Sequence, residues 1–122
     1  MRDARAAVLL DASPDPQLID VQVRDLIDDE VLVRIDAVGI CHTDISVAAR
    51  WPARRLSTVF GHEGAGIVAA AGPRTARKVG QPVALTFANC GRCAHCASND
   101  PAYCERWTDL NMRGDRGDEA SA

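Results

Sequence analysis

In Leu18–Leu26, "LIDVQVRDL", apolar side chains recur at every second position: Ile19, Val21 and Val23. Residues 28–40, "DDEVLVRIDAVGI", repeat the pattern, with Val31, Val33 and Ile35 on one face and Leu32, Arg34 and Asp36 on the other. A period of two is that of a strand with one face buried. The polar link Asp28-Asp29 sits between the two runs and predicts that they pair antiparallel. An apolar run from Ala4 to Leu10 predicts an earlier strand, and "DASPDPQ" after it predicts a loop.

From Cys41 the period changes. In "CHTDISVAAR", Ile45, Ala48 and Ala49 fall at helical spacing, with Thr43 or Asp44 available as the cap. Trp51-Pro52 stops that helix, because a residue before proline avoids helical torsions. "LSTVFGHEGAGIVAAAG" mixes glycines with β-branched and small residues. It predicts a strand entering a tight bend and a second strand leaving it, ended by Gly72-Pro73. "RTARKVGQ" is a charged surface turn. "PVALTF" predicts a further short strand, with Pro82 at its first position, where the missing N–H is tolerated. The last stretch, from Leu110, is polar and without apolar period, and is expected to be loose. Many short strands between turns predict a mostly β, barrel-like domain with a few short helices.

Composition narrows the partners. The chain has 122 residues, enough for one domain, with 47% apolar and 25% charged residues, as in an ordinary globular protein. Its net charge is −3 and only 4% of residues are aromatic. With no basic cluster and few stacking platforms, no nucleic-acid partner is expected. No run approaches the roughly 20 apolar residues of a membrane span, and "MRDARAAVLL" is too short for a secretory core. A cytoplasmic location without a membrane partner is expected, and there clustered cysteines are more often metal ligands than disulfides.

Four of the five cysteines fall in "CGRCAHCASNDPAYC", at Cys90, Cys93, Cys96 and Cys104. Two residues between cysteines let a tight turn wrap one ion, and zinc takes four such thiolates in a tetrahedron. Gly91 lets the chain curl, and Asn99-Asp100-Pro101 turns it back. The surrounding residues include few large apolar side chains, so metal would substitute for a core. A closed shell of thiolates makes the site structural, and leaves His95 facing solvent. Paired disulfides and an iron–sulfur cluster are the competing readings.

Cys41 and His62 are a thiolate and an imidazole at the ends of regular elements. Read singly, each is ordinary: a small buried thiol and a hydrogen-bonded histidine. Together they offer two ligands of a catalytic zinc, which needs three and an open position.

"GICHTDI" (Gly39–Ile45), "GHEGAGIVAAAG" (Gly61–Gly72) and the four-cysteine loop stand in the order and at the spacing found in zinc-dependent alcohol dehydrogenases of the medium-chain dehydrogenase/reductase superfamily, which the chain resembles from about Ala4 to about Trp107. The wording "CHTDISV" is most similar to the aryl- or benzyl-alcohol branch.

The resemblance implies a GroES-like catalytic domain over residues 1–122, with a structural zinc lobe at about 88–107. It implies two zinc ions, one structural on Cys90, Cys93, Cys96 and Cys104, and one catalytic on Cys41 and His62. Glu63 matches the acidic neighbour that can approach the metal. Thr43 matches the hydroxyl that meets the substrate oxygen and starts a proton relay. His42 matches a basic position that holds the cofactor pyrophosphate or passes the proton on. Asp44 matches the carboxylate that accepts the zinc histidine's other N–H. The implied reaction interconverts alcohols with aldehydes or ketones, using NAD or NADP. The complete family enzyme adds a nucleotide-binding domain, a third zinc ligand and, in many cases, a homo-oligomer. None of these is found in the 122 residues, where Glu63 is the available substitute ligand. The chain alone is expected to be inactive. A small zinc module without redox activity is the alternative.

Two motifs are decoys. Gly64-Ala65-Gly66-Ile67-Val68-Ala69 fits G-x-G-x-x-A, but Gly72-Pro73 precludes the helix that a dinucleotide site requires, and no acid follows at the proper distance. Arg116-Gly117-Asp118 has no secretory context. Gln81-Pro82 departs from the family only in a surface turn, where the family usually carries an aspartate.

Overall fold

The computed structural model describes residues 1–10, 15–53 and 57–112. In chain order its elements are β1 (Arg2–Leu9), β2 (Gln17–Val23), β3 (Val31–Gly39), α1 (His42–Ala48), β4 (Thr58–Val59), β5 (Glu63–Ala71), β6 (Pro82–Ala84), α2 (Ala94–Ala97) and α3 (Trp107–Asn111), with a single 3-10 turn at Pro101–Tyr103 between the last two helices. The expected mostly β fold with short helices is what forms. The loop expected at 11–17 lies largely outside the described residues. The polar tail is helical through Asn111, and from residue 113 it too lies outside them.

The strands make two three-stranded antiparallel sheets, ordered β2-β1-β4 and β3-β5-β6. The expected pairing of β2 with β3 does not occur. β2 runs instead against β1, from Arg2↔Val23 to Val8↔Gln17, and β3 pairs with β5. The cause lies in the connection between them. Arg24 grips the Glu30 carboxylate with both terminal nitrogens, at 2.8 and 2.7 Å, and Glu30 N–H bonds to Ile27 O at 3.1 Å. The carbonyls of Asp28 and Glu30 then accept from Arg74 and Gly72, each at 2.8 Å. The link is thus fastened to the far end of β5 and carries the chain from one sheet to the other. Alternation sets the buried face of a strand, not its partner.

The core is small. Among the described residues Val8, Leu9, Val68 and Cys104 are its buried apolar members, and Thr58 is buried with its hydroxyl accepting from Trp51 Nε1 at 3.0 Å. Each fully buried aliphatic side chain contributes about 1.5–3 kcal/mol. Along β5 burial alternates, with Gly64, Gly66 and Val68 inward. At Gly66 the Arg34 carbonyl lies where a Cβ would stand, so the glycine admits close approach of β3. The G-x-G-x-x-A stretch therefore starts no helix, as expected, but Gly64 and Gly66 lie inside a continuous strand and the tight bend expected of these glycines falls earlier, at Gly61.

Candidate metal centres and the adjoining cleft

The four-cysteine loop hangs from β6 as a lobe. Gly91 takes φ +70° and Asn99 φ +66°, the left-handed turns that curl the loop around a common point. The four Sγ atoms all lie within 4.8 Å of one another, and Cys90 Sγ is 4.0 Å from Cys96 Sγ. A tetrahedron of about 2.3 Å Zn–S bonds has edges of about 3.8 Å, so the donor set suits one zinc ion. All four thiols are free, which removes the disulfide reading, and sulfurs this close leave no room for a multi-iron cluster between them. His95 is exposed beside Tyr103, outside the ligand group.

Backbone N–H groups already point at these sulfurs. Cys93 N–H approaches Cys90 Sγ at 3.3 Å, and Cys90 N–H approaches Cys104 Sγ at 3.4 Å. Donors at Arg92 and Cys93 pull the Cys90 thiol down to about 6. Cys93 is lowered by the N–H groups of Cys96 and Glu105. Burial, reinforced by the neighbouring thiols, pushes Cys96 up to about 12. The neck of the lobe closes at Asn111. Its Oδ1 accepts from Ala88 N–H at 2.8 Å, and its Nδ2 donates to Ala88 O and Trp107 O at 2.9 Å each.

The second cluster joins three elements. Cys41 sits between β3 and α1, and His62 and Glu63 sit where the chain turns from β4 into β5. Gly61, at φ +126°, makes that bend. The Cys41 sulfur, a His62 nitrogen and a Glu63 carboxylate oxygen lie within 4.8 Å of one another. Cys41, not Thr43 or Asp44, occupies the cap position of α1. The reason is Asp44, whose Oδ2 reaches back to the Cys41 N–H at 3.0 Å. The other oxygen of the same carboxylate meets His62 Nδ1, also at 3.0 Å. Asp44 is placed to accept the Nδ1 proton, and the ring's other nitrogen, Nε2, faces Glu63 Oε1, 3.7 Å away. Asp44 thus fixes a thiol's backbone and an imidazole's tautomer with one side chain, as carboxylates do behind metal-binding histidines.

Beside this cluster lies a cleft of about 110 Å³ lined by Thr43, Asp44 and His62 among others. Its walls hold Trp51, Phe60, Phe87 and Trp107, four of the five aromatic residues in the chain. Phe87 stacks on His62 with centroids 5.2 Å apart, and Trp107 meets Phe87 edge-on at 5.0 Å. This convergence was not read from the sequence, although so few aromatics, clustered near both histidine and cysteine motifs, were a signal. His42 is exposed on the first turn of α1 and is not part of the cleft wall.

Residues 27–119 match the alcohol dehydrogenase GroES-like domain. The chain belongs to that family. It is 38% identical over 112 residues to the geraniol dehydrogenase of Castellaniella defragrans, a match that covers 91% of this chain and 30% of that protein. Among solved structures, an alcohol dehydrogenase zinc-binding domain protein from Burkholderia ambifaria superposes with TM-score 0.88 at 40% identity, covering 96% of this chain and 32% of the other. The benzyl alcohol dehydrogenase of Acinetobacter calcoaceticus follows with TM-score 0.84 at 36% identity, covering 94% and 33%. The chain therefore spans about a third of the length of the GroES-like-domain proteins it matches. Among the described residues no helix is long and apolar enough to cross a membrane.

Proposed function

We propose that this chain is the zinc-holding, substrate-facing part of an NAD(P)-dependent alcohol dehydrogenase. One observation carries the reading: a thiol from the junction of β3 and α1 converges with an imidazole and a carboxylate from the start of β5, beside an aromatic cleft that Thr43 also lines. Cys41, His62 and Glu63 would hold one zinc ion. Cys90, Cys93, Cys96 and Cys104 would hold another, bracing the lobe at about 88–107. Zinc bound at the first site supplies a Lewis acid for the oxygen of an alcohol or carbonyl.

The chain's own residues do the rest. The aromatic walls take the apolar part of the substrate and exclude water, which favours alcohols with aryl or extended apolar groups. Thr43 accepts the proton of the substrate hydroxyl. His42, on the exposed turn beside it, passes that proton to solvent or steadies the pyrophosphate of the cofactor. Asp44 holds His62 in the tautomer that leaves Nε2 free. The nicotinamide site belongs to a further domain that these 122 residues do not contain, and the assembled enzyme would act in the cytoplasm as a homo-oligomer.

Metal content tests the reading. Cys41→Ser should lower zinc from about two ions per chain to about one. Unchanged content would leave a structural zinc module without the catalytic site. Joined with a separately made nicotinamide-binding domain, the chain should support alcohol-dependent NAD(P)H formation, and Cys41→Ser should abolish it.

A further inference from the structure

We propose that Gly39 is a positioning residue for Glu63: the space left by its missing side chain is where the carboxylate lies beside Cys41 and His62. The proposal rests on the reading of this cluster as a metal site. Gly39 and Glu63 are direct partners across the β3–β5 ladder. Opposed residues share a face of the sheet, so any side chain at 39 would stand beside that of Glu63. A Cβ on Gly39 would overlap Glu63 Oε2, and would lie 3.1 Å from Glu63 Cβ and 3.3 Å from Glu63 Cδ. The carboxylate occupies the glycine's empty side and from there comes within reach of the Cys41 sulfur and the His62 ring.

Gly39 differs in kind from Gly66 and Gly72. At Gly66 and Gly72 the obstructing atoms are backbone carbonyls, of Arg34 and of Ile27 and Asp28, so a side chain there would force the strands apart. At Gly39 the three nearest atoms all belong to the Glu63 side chain, and the backbone is outside the left-handed region that favours glycine. An added methyl would therefore displace the Glu63 carboxylate and, at the 3.1 Å contact with Glu63 Cβ, ask only a small adjustment of the sheet.

The test uses the full chain with cobalt(II) as the probe, read by its thiolate charge-transfer band and by titration. Cobalt in the four-cysteine lobe gives a separate, internal reference. Gly39→Ala should weaken metal binding at the Cys41 site by about ten- to a hundred-fold, and should move its band to where Glu63→Ala places it. In the Glu63→Ala background, Gly39→Ala should then change nothing further. The lobe's occupancy should stay the same throughout. A Cys41-dependent band and affinity that ignore Gly39→Ala would overturn the proposal alone. So would a Gly39→Ala effect of equal size without Glu63, since the glycine would then serve the backbone. A chain that fails to fold with Gly39→Ala but folds once Glu63→Ala is added supports the proposal, and failure of both variants refutes it. If Cys41→Ser alters neither band nor metal content, the reading of the site fails first and takes the proposal with it.

Discussion

The two clusters are built in opposite ways. In the lobe, four like ligands come from 15 consecutive residues, and the local chain wraps itself around their centre with left-handed turns at Gly91 and Asn99. In the cleft, three unlike candidate ligands come from positions 41, 62 and 63, and only the pairing of β3 with β5 brings them together. The lobe has little apolar material to hold it without metal, with Cys104 its buried residue. The cleft cluster rests on sheet, helix cap and ring stacking that exist without metal. A closed sulfur shell thus contributes to folding, while the mixed cluster draws on a fold already made.

The largest way to break this contrast is to remove the metal from the lobe. Structural zinc contributes about 10–16 kcal/mol of apparent binding free energy in small zinc domains. Cys104→Ser should therefore release the lobe zinc and unfold residues 88–111, seen as fast tryptic cleavage after the half-buried Arg106. Cys41→Ser should leave that cleavage slow. Equal cleavage in both variants would erase the distinction between the sites.

Next comes the carboxylate behind the cleft cluster. Asp44→Ala removes the orienting partner of His62 and the acceptor of the Cys41 N–H. Metal affinity at that site should fall about ten- to a hundred-fold. The chain should also lose about 1 kcal/mol of stability from the helix cap. Isothermal titration with the lobe already filled reads the first effect, and thermal melting of the metal-free chain reads the second.

Proton linkage sharpens the comparison further. In the metal-free lobe Cys90 is lowered from 9.0 to about 6, and Cys93 is lowered too. Between pH 6 and 9 Cys90 binds fewer protons folded than unfolded, so stability rises with pH across that window, and the lowering of Cys93 acts in the same direction. Cys96, raised from 9.0 to about 12, binds more protons folded than unfolded above pH 9, so its contribution falls there. Reduced, chelator-treated protein should therefore melt highest near pH 9, and zinc, by ionising all four thiols in the folded state, should steepen the rise below pH 9 and remove the fall above it. A metal-free profile that is flat would contradict the N–H···S arrangement seen at Cys90 and Cys93.

These differences also explain what could be read from the sequence. The lobe was legible because its four cysteines are sequence neighbours, and spacing alone reports that they can converge. Cys41 and His62 were legible as candidates through their motifs, yet their convergence depends on β5 lying beside β3, which alternation cannot announce. The same blindness produced the mistaken pairing of β2 with β3: the Asp28-Asp29 link looked like a hairpin turn, but Arg24 and Glu30 fold it into a crossing between sheets. The cap of α1, expected at Thr43 or Asp44, falls at Cys41 because the Asp44 carboxylate reaches backward to the Cys41 N–H and sideways to His62. The aromatic cleft went unread because Trp51, Phe60, Phe87 and Trp107 come from four separate segments.

The smallest expected effect asks whether the two regions are independent. α3 belongs to both: Asn111 clasps Ala88 at the neck of the lobe, while Trp107 and Asn111 also line the cleft. Asn111→Ala removes three hydrogen bonds in a partly exposed place, where water can replace much of what is lost. The net cost should be about 1 kcal/mol, near the low end for such a group. If the sites are separate, that cost appears in lobe stability and leaves metal affinity at Cys41 and His62 unchanged. If α3 transmits the disturbance, Trp107 shifts against Phe87, Phe87 shifts on the His62 ring, and affinity at the cleft falls as well. Measuring both quantities in one variant decides between a lobe that merely hangs from the domain and one that supports the wall of the cleft. The ring contacts at 5.0 and 5.2 Å favour the second outcome, with an affinity change of less than about ten-fold because Asp44 still fixes His62 from the opposite side.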